Sequence, residues 1–178
     1  QDHKMKAIAM LREGAIGKVF GARALCFRRR FSIGHTPDEP VPPGVDWDKF
    51  LGPAQMKPYS LNKFHYNWHW FWDTGNGDIG NQGVHEMDIC RWGLGKKLPR
   101  SAVSCGGRFG PPDDGQIADT QLALFDYGDD CRMLVEVRNL PSPAHAGSGI
   151  HVGEVFYGTE GRLVVGHYGA AVVVMAFD

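Results

Sequence analysis

The sequence lacks the basic excess of a nucleic-acid-binding protein and the long apolar runs of a membrane protein. Its 19 lysine and arginine residues are balanced by 20 aspartate and glutamate residues, so the formal net charge at pH 7 is −1. Nucleic-acid-binding domains usually carry a basic surface, and a membrane-spanning helix needs about 20 consecutive apolar residues. The longest apolar run, residues 170–177, has the length of one strand. We therefore predict that the protein binds neither nucleic acid nor a membrane.

Cysteine is also scarce, and no two cysteines form a C-x-x-C pair. The four are Cys26, Cys90, Cys105 and Cys131. Disulfide frameworks and structural zinc sites usually bring cysteines close together in the sequence, so we predict buried free thiols and favour a reducing, cytoplasmic compartment. Because the chain begins in a region that is predicted to be helical and stops just after an apolar strand, we interpret it as a fragment of a longer protein. The compartment of that protein stays open, export included.

The apolar content is sufficient for one domain with a sizeable core. Hydrophobic residues make up 43% of the 178 residues, and single domains typically have about 100–200 residues. Apolar residues at helical spacing predict a helix over residues 4–13, and alternation predicts a strand over residues 17–30. Prolines and glycines predict a long loop over residues 31–58, with one helical turn at residues 46–51. Loops of this length often lie over a binding site.

Short strand-like segments dominate the second half of the sequence. Turn sequences at residues 126–130 and 158–161 predict hairpins between neighbouring segments. Short links favour antiparallel pairing, with the preceding helices packed on one face. We therefore predict one α+β domain over residues 1–178, an open, predominantly antiparallel β-sheet with two or three helices on one face. The predicted later strands are residues 101–106, 118–127, 132–139, 151–157, 162–165 and 171–177.

The aromatic segment FHYNWHWFWD, residues 64–73, has three interpretations. In an extended conformation its alternate residues would share one face, and its rings would pack between loop and sheet. The functional interpretation is a wall on which a sugar stacks, with His65, Trp68 and His69 contacting the substrate. The third is a zinc site on His65 and His69. Because no further ligand is obvious, we predict no metal.

Gly75, Gly77 and Gly80 match G-x-G-x-x-G, the fingerprint of dinucleotide-binding folds. That fingerprint must follow a buried apolar strand and precede an acidic residue by about 20 positions. Here an aromatic segment rich in histidine precedes it, and no such acidic strand end follows. We therefore predict that these glycines do not bind NAD or NADP, and that the chain alone binds neither cofactor.

A helix predicted over residues 79–94 carries a polar stripe. Asn81, His85, Asp88 and Trp92 recur at helical spacing and share one face. Histidine suits proton transfer because its unperturbed pKa, about 6.5, lies near working pH. The stripe therefore predicts a catalytic pair, His85 and Asn81, with Asp88 either contacting the substrate or pairing within the helix. The structural alternative is that His85 is an ordinary buried histidine.

Residues 75–92, GNGDIGNQGVHEMDICRW, resemble the C-terminal-domain signature of the glucose–fructose oxidoreductase, inositol dehydrogenase and rhizopine-catabolism (Gfo/Idh/MocA) family. The signature is a glycine cluster, Gly-x-His-x-x-Asp and an aromatic residue, and Asn81 stands where many members have aspartate. The opening helix and residues 14–19 resemble the family's helix-to-strand junction. Residues 46–54, together with the tryptophan-rich segment and residues 81–88, resemble a bacterial branch of uncharacterised dehydrogenases. The matching signature residues are Gly75, Gly77, Gly83, His85, Asp88 and Trp92.

The resemblance implies a fold and a division of roles. Family members have an N-terminal Rossmann domain that binds NAD or NADP and supplies a lysine, and neither is in this chain. Their second domain, similar to the C-terminal domain of dihydrodipicolinate reductase, binds the substrate and often forms the oligomer interface. By resemblance, His85 contacts the reacting hydroxyl. Because asparagine cannot accept a proton, Asn81 is expected to orient the substrate by hydrogen bonds.

From the resemblance we expect the substrate-binding domain of an NAD(P)-dependent oxidoreductase acting on the CH–OH group of a sugar or polyol. This chain alone would be inactive and would form homo-oligomers through its sheet. One alternative is a non-enzymatic module that assembles through an apolar sheet face, and another is a metal hydrolase built on His65, His69 and His85. Arg28-Arg29-Arg30 is interpreted as a solvated strand end, or else as a contact to an anionic substrate group or a cofactor phosphate.

Overall fold

The computed structural model describes residues 2–167 and 172–176, which form one seven-stranded sheet with helices on one face. The helices are α1 (Asp2–Arg12), α2 (Trp47–Leu51), α3 (Gly77–Asn81) and α4 (Gly83–Leu94), with 3-10 turns at Leu61–Lys63 and His65–Trp70. The strands are β1 (Val19–Cys26), β2 (Ser101–Gly107), β3 (Thr120–Asp126), β4 (Arg132–Arg138), β5 (Val152–Gly158), β6 (Gly161–Gly166) and β7 (Val172–Ala176).

The first strand of the chain lies in the middle of the sheet. The strand order is β2-β3-β4-β1-β5-β6-β7. β1 runs parallel to β4, with Ala24 opposite Val135, and antiparallel to β5. The other neighbouring strands pair antiparallel. The prediction of an α+β domain with an open, predominantly antiparallel sheet is therefore confirmed.

The main core lies between this sheet and helices α1 and α4. Ile8 of α1 and Cys90 of α4 pack with Val135 of β4 and Phe156 of β5, and all four are at most 2% exposed. A Cβ atom at Gly93 would lie 2.3 Å from the Phe156 ring, which is too close for any side chain. The glycine therefore allows α4 to pack closely on β5, which sets the height of the helix above the sheet.

The opposite face of the sheet is only partly covered. The loop over residues 139–151 folds across its centre, where Arg23 Nη1 lies 2.6 Å from Nε2 of His145. The register places Val103, Leu124 and Arg23 in one row across β2, β3 and β1. Over β2 and β3 the face is open: Val103 is 65% exposed, Leu122 42% and Leu124 40%.

The long loop after β1 contains its own aromatic cluster. Asp46 caps α2 by accepting a hydrogen bond from the Lys49 amide (3.1 Å), as expected for a helix N-cap. Trp47 then stacks on Phe50 and meets Tyr59 edge-on, both with ring centroids 5.1 Å apart. The helical turn predicted at residues 46–51 is thereby confirmed.

Three predicted elements differ from the structure. The strand predicted over residues 17–30 ends at Cys26, and the helix predicted over residues 79–94 is divided into α3 and α4 at Gln82. The extended conformation of residues 64–73 is wrong, because most of this segment forms the 3-10 turn His65–Trp70. Its backbone forms turn hydrogen bonds, as when the Phe71 amide donates to Trp68 O (3.3 Å), and it is not paired with a strand of the sheet. Its alternate side chains therefore do not line one face.

The cysteines are free thiols, but the prediction that all four are buried is wrong for Cys105. Cys105 is exposed because it lies on the edge strand β2, opposite Leu122 on the open face. Of the strand predicted at residues 171–177, the first and last residues lie outside the described part, and the rest contains β7. None of the described helices is long and apolar enough to cross a membrane.

Candidate functional site

The candidate site is organised around Asp78, the second residue of α3, which is fully buried. Its carboxylate accepts two hydrogen bonds from Arg30, at 3.2 Å from Nε and 2.7 Å from Nη2. This two-point geometry is the strong form of an arginine–carboxylate pair. Burial by itself raises the pKa of Asp78, but the bonds from Arg30 and Asn81 outweigh it and hold that pKa below its usual value. Asp78 is therefore an ionised anchor.

Two further side chains satisfy the same carboxylate. Asn139, just after β4, donates from Nδ2 to Asp78 Oδ2 (2.6 Å), and Sγ of Cys26 lies 3.5 Å from that oxygen. Burial, followed by the charge of Asp78, raises the pKa of the Cys26 thiol well above its ordinary value. The thiol is therefore protonated and donates. These contacts join the ends of β1 and β4 to the start of α3.

The amide of Asn81 is held in one orientation by two neighbours. Its Nδ2 donates to Asp78 Oδ1 (3.0 Å) and to the Tyr66 hydroxyl (3.3 Å). Because a carboxylate can only accept hydrogen bonds, the Asp78 contact identifies the nitrogen of the amide. Within the described part of the chain, the side-chain oxygen Oδ1 of Asn81 has no hydrogen-bond partner. That oxygen is available to accept a bond from a ligand hydroxyl.

The junction between α3 and α4 preserves the predicted stripe. Gln82 keeps a right-handed helical backbone (φ −94°, ψ −45°), and its amide bonds to Asp78 O (3.0 Å). The amide of His85 in turn bonds to Gln82 O (3.1 Å). Asn81 and His85 therefore lie one helical turn apart, and the exposed ring of His85 is accessible. The structural alternative of a buried His85 is wrong.

A network of buried ionisable groups lies on the inner side of α4. Glu86 Oε1 lies 2.5 Å from Nδ1 of His167, and Glu154 of β5 contacts the ammonium group of Lys4. Burial, followed by the charge of Glu154, raises the pKa of Glu86 to about 7. Burial also raises the pKa of Glu154 to about 7, against the opposing effect of Lys4. Burial therefore disfavours the charged form of both carboxylates, while the ammonium group of Lys4 opposes this effect.

The network reaches the exposed side of α4 through His167. The ring centroids of His167 and His85 are 6.3 Å apart. His167 therefore stands between the buried carboxylate of Glu86 and the accessible ring of His85.

The structure separates the predicted substrate contacts. His65 is exposed, has a left-handed backbone (φ 45°) and packs on Phe64 with ring centroids 4.2 Å apart. Trp68 lines a different groove, of about 340 Å³, beside α2. Asp88 is exposed and bonds to Arg91 (3.0 Å) in the same helix. In the described part of the chain, none of these three forms a hydrogen bond, ion pair or ring contact with Asn81 or His85.

His69 supports the site from behind. It is 1% exposed and packs edge-on against the Tyr66 ring, with centroids 4.8 Å apart. Its Nδ1 contacts Tyr66 O, while its Nε2 is buried without a hydrogen-bond partner in the described part of the chain. Burial lowers its pKa, so the ring is neutral near pH 7.

Sequence reasoning missed Asp78, Arg30 and Tyr66. Asp78 lies inside the glycine cluster, and Arg30 lies in the arginine run that was interpreted as a solvated strand end. A carboxylate among glycines followed by an asparagine three residues later is a usable signal, because i, i+3 side chains meet on a helix. Tyr66 was included only among the aromatic residues of its segment.

Among the described residues, neither a metal cluster nor the strand of a dinucleotide fingerprint is found at this site. Within residues 2–167 and 172–176, no three His, Cys, Asp or Glu side chains are grouped to hold a metal ion. The glycines of the G-x-G-x-x-G match permit close packing: a Cβ at Gly75 would lie 2.4 Å from the His69 backbone, and one at Gly77 2.6 Å from the Ile117 side chain. These glycines follow a 3-10 turn, whereas a dinucleotide fingerprint must follow a strand.

The fold resembles solved oxidoreductases at low sequence identity. The WlbA dehydrogenase from Bordetella pertussis, in complex with NADH and UDP-GlcNAcA, gives a TM-score of 0.59 at 16% identity, over 98% of this chain and 44% of that one. An NAD-binding oxidoreductase from Klebsiella pneumoniae gives 0.59 at 17%, over 93% and 37%. An oxidoreductase from Agrobacterium radiobacter, in complex with NAD+, L-tartaric acid and magnesium, gives 0.53 at 16%, over 99% and 43%.

These identities show similarity of fold alone, and the chain spans less than half the length of each of these proteins. No curated protein sequence matches the chain. The family model described as "Oxidoreductase family, C-terminal alpha/beta domain", of the Gfo/Idh/MocA oxidoreductases, matches residues 22–160. That match covers most of the chain, including residues 22–26 of β1, the Asp78 anchor, α4 and the sheet as far as β5. The chain therefore belongs to the Gfo/Idh/MocA oxidoreductase family, of which it provides the C-terminal α/β domain.

Proposed function

We propose that this chain is the substrate-binding domain of a nicotinamide-dependent oxidoreductase that acts on the CH–OH group of a sugar or polyol. The nicotinamide, held by a domain outside residues 1–178, supplies the hydride chemistry. The isolated chain binds the substrate without converting it.

The observation that carries this proposal is the pairing of an accessible histidine with an oriented amide. His85 is exposed one helical turn from Asn81, whose amide is fixed by Asp78 and Tyr66. A bound hydroxyl donates to the Asn81 carbonyl oxygen, and His85 accepts the proton of the reacting hydroxyl as general base. The fixed amide reduces the conformational entropy lost when the substrate is positioned.

The similar structures support a polyhydroxylated substrate. The WlbA dehydrogenase binds UDP-GlcNAcA together with NADH, and the Agrobacterium radiobacter oxidoreductase binds L-tartaric acid together with NAD+. Both organic ligands carry hydroxyl-bearing carbons and carboxylates. A site that combines a base, an amide and an aromatic hydroxyl suits such a molecule.

His65, Trp68, His69 and Asp88 have secondary roles in this proposal. The exposed residues His65 and Asp88 contact peripheral groups of a large substrate, and Trp68 provides an aromatic surface in its own groove. His69 acts through Tyr66, against which it packs.

The test is turnover of a His85→Asn variant in the protein that contains both this chain and its nicotinamide-binding domain. We expect a loss of turnover and of the neutral inflection in the pH profile. Wild-type turnover with an unchanged profile would refute the proposed role of His85.

A second function, homo-oligomerisation through the sheet, is favoured by the open face of β2 and β3. Val103, Leu122 and Leu124 expose between 40% and 65% of their surface there. Contiguous exposed apolar surface marks an interaction site. We propose that a second copy of the chain covers this face, and light scattering tests this. Oligomerisation and catalysis are compatible, because His85 lies on the helical face.

A further inference from the structure

A groove of about 580 Å³ opens at the edge of the sheet where β1 and β6 end and β5 begins. Backbone hydrogen bonds hold its walls together: the Phe27 amide donates to His151 O (2.8 Å), and the His167 amide donates to Val152 O (3.0 Å). Small-molecule sites typically have volumes of about 300–1,000 Å³. The groove is therefore large enough for a sugar-sized ligand.

The ionisable side chains that line this groove are all basic. They are Arg28, Arg29, His151 and His167, and no aspartate or glutamate is among the described residues of the lining. Arg28 and Arg29 are exposed, and the Arg29 guanidinium lies 4.8 Å from the centre of the Phe31 ring. Guanidinium groups are the preferred partners of phosphates and carboxylates because they donate two parallel hydrogen bonds. The lining therefore selects an oxyanion.

The basic lining of the groove lies close to the candidate catalytic histidine. Burial, followed by the charges of Lys4, His85 and Arg28, lowers the pKa of His167. An anion bound near Arg28 and His167 would offset these charges. Because the rings of His167 and His85 are 6.3 Å apart, one small ligand can reach both.

From this arrangement we infer that the groove binds the phosphate or carboxylate group of a sugar-derived substrate and so places a neighbouring hydroxyl beside His85. The inference deepens the proposed oxidoreductase function and rests on it. It assigns Arg28 and Arg29 to substrate selection, and Arg30 to the contact with Asp78. In the run Arg28-Arg29-Arg30, the first two residues thus bind the ligand and the third holds Asp78.

The test is calorimetric titration of the chain with glucose 6-phosphate, glucuronate and glucose. We expect at least one of the anions to bind at least tenfold more tightly than glucose. The Arg28→Gln/Arg29→Gln variant is expected to lose that preference. Lys97→Gln/Arg100→Gln removes two positive charges elsewhere and is expected to keep it. Equal affinity for the three ligands, or an unchanged preference in Arg28→Gln/Arg29→Gln, would overturn the inference.

A second arm of the titration uses NADH and NADPH, because dinucleotide phosphates offer the same chemistry. We expect Arg28→Gln/Arg29→Gln to have no effect on any dinucleotide binding. Dinucleotide binding that is tighter than that of glucose 6-phosphate and is lost in this variant would assign the groove to the cofactor and overturn the inference. The titration measures binding rather than turnover, so its failure is distinguishable from failure of the His85→Asn test.

Discussion

The guanidinium group of Arg30 and the carboxylate of Asp78 form a two-point ion pair between the chain beyond β1 and the start of α3. The Asp78 side chain is fully buried and that of Arg30 is 14% exposed. The pair also determines the hydrogen-bond pattern of Asn81, which donates to the same carboxylate. Stability and site geometry therefore depend on one contact.

Replacing Asp78→Asn should destabilise the protein by about 3–5 kcal/mol, because it leaves the Arg30 charge partly buried without its partner. Urea denaturation measures the change. The control is Asp38→Asn, which removes the exposed Lys63–Asp38 pair and should cost less than about 1 kcal/mol. Similar losses from both variants would contradict the anchoring role.

The His85→Asn variant should lower turnover of the enzyme by about 10²–10⁴-fold, because general acid–base catalysis by one side chain contributes that much. Substrate affinity should weaken only by about one hydrogen bond, roughly 0.5–1.5 kcal/mol. Steady-state kinetics across pH measures both effects. His35→Asn, an exposed histidine paired with Asp114, is the matched control and should retain activity.

Removing the Tyr66 hydroxyl should loosen the Asn81 amide, which donates to it at 3.3 Å. We expect Tyr66→Phe to lower kcat/KM by about two- to tenfold, the equivalent of one hydrogen bond, with unchanged unfolding free energy because the residue is 55% exposed. Tyr157→Phe is the comparison, because the Tyr157 hydroxyl has no hydrogen-bond partner in the described part of the chain. Equal kinetics for Tyr66→Phe and wild type would show that the amide needs no such support.

The buried carboxylates predict a specific dependence of stability on pH. The pKa of Glu86 is raised by burial to about 7 in the folded state, against an ordinary value of 4.5. The stabilisation of the folded state by protonated Glu86 is complete below about pH 4.5 and is lost as the pH rises through about 7. Since one pKa unit corresponds to about 1.4 kcal/mol, the total is about 3 kcal/mol.

The measurement is the unfolding free energy of wild type minus that of Glu86→Gln, from pH 5 to pH 8. This difference should decrease with rising pH. For exposed Glu160→Gln it should stay constant, and a constant difference for Glu86→Gln as well would disprove the buried-proton interpretation.

If the open face of β2 and β3 joins two copies, a charge placed there should separate them. We expect Val103→Glu to shift the mass measured by light scattering from dimer or larger to monomer, because a buried unpaired charge is costly. Leu98→Glu replaces another exposed apolar side chain, 86% exposed, and should leave assembly intact. A monomeric wild type would refute the interface.

Local sequence patterns were sufficient for much of the fold. The helix α1, the capped turn α2 and the strands β2 to β6 follow from periodicity and turn residues that lie within each segment. The parallel pairing of β1 with β4 does not, because it depends on contacts between distant segments. The 3-10 turn at His65–Trp70 was also missed, since aromatic alternation resembles a strand pattern when no neighbouring strand is considered.

The candidate site was predictable only in its helical part. Asn81 and His85 lie one turn apart, and a stripe on one helix is a local property. Asp78 became significant only when Arg30, Cys26 and Asn139 converged on it from two strands. Exposure was equally hard to foresee: His69 is buried and Cys105 exposed because of where the loop and the sheet edge lie.

The central position of β1 has a consequence for folding. As the chain is synthesised, β1 appears early, but both of its partners, β4 and β5, appear only after the long loop, the anchor and the strands β2 and β3. Its pairing closes large loops, and contacts between distant segments slow folding. β1 lies between the half made of β2, β3 and β4 and the half made of β5, β6 and β7. The two halves are joined when β1 has paired with both β4 and β5, so they should fold and unfold as one cooperative unit.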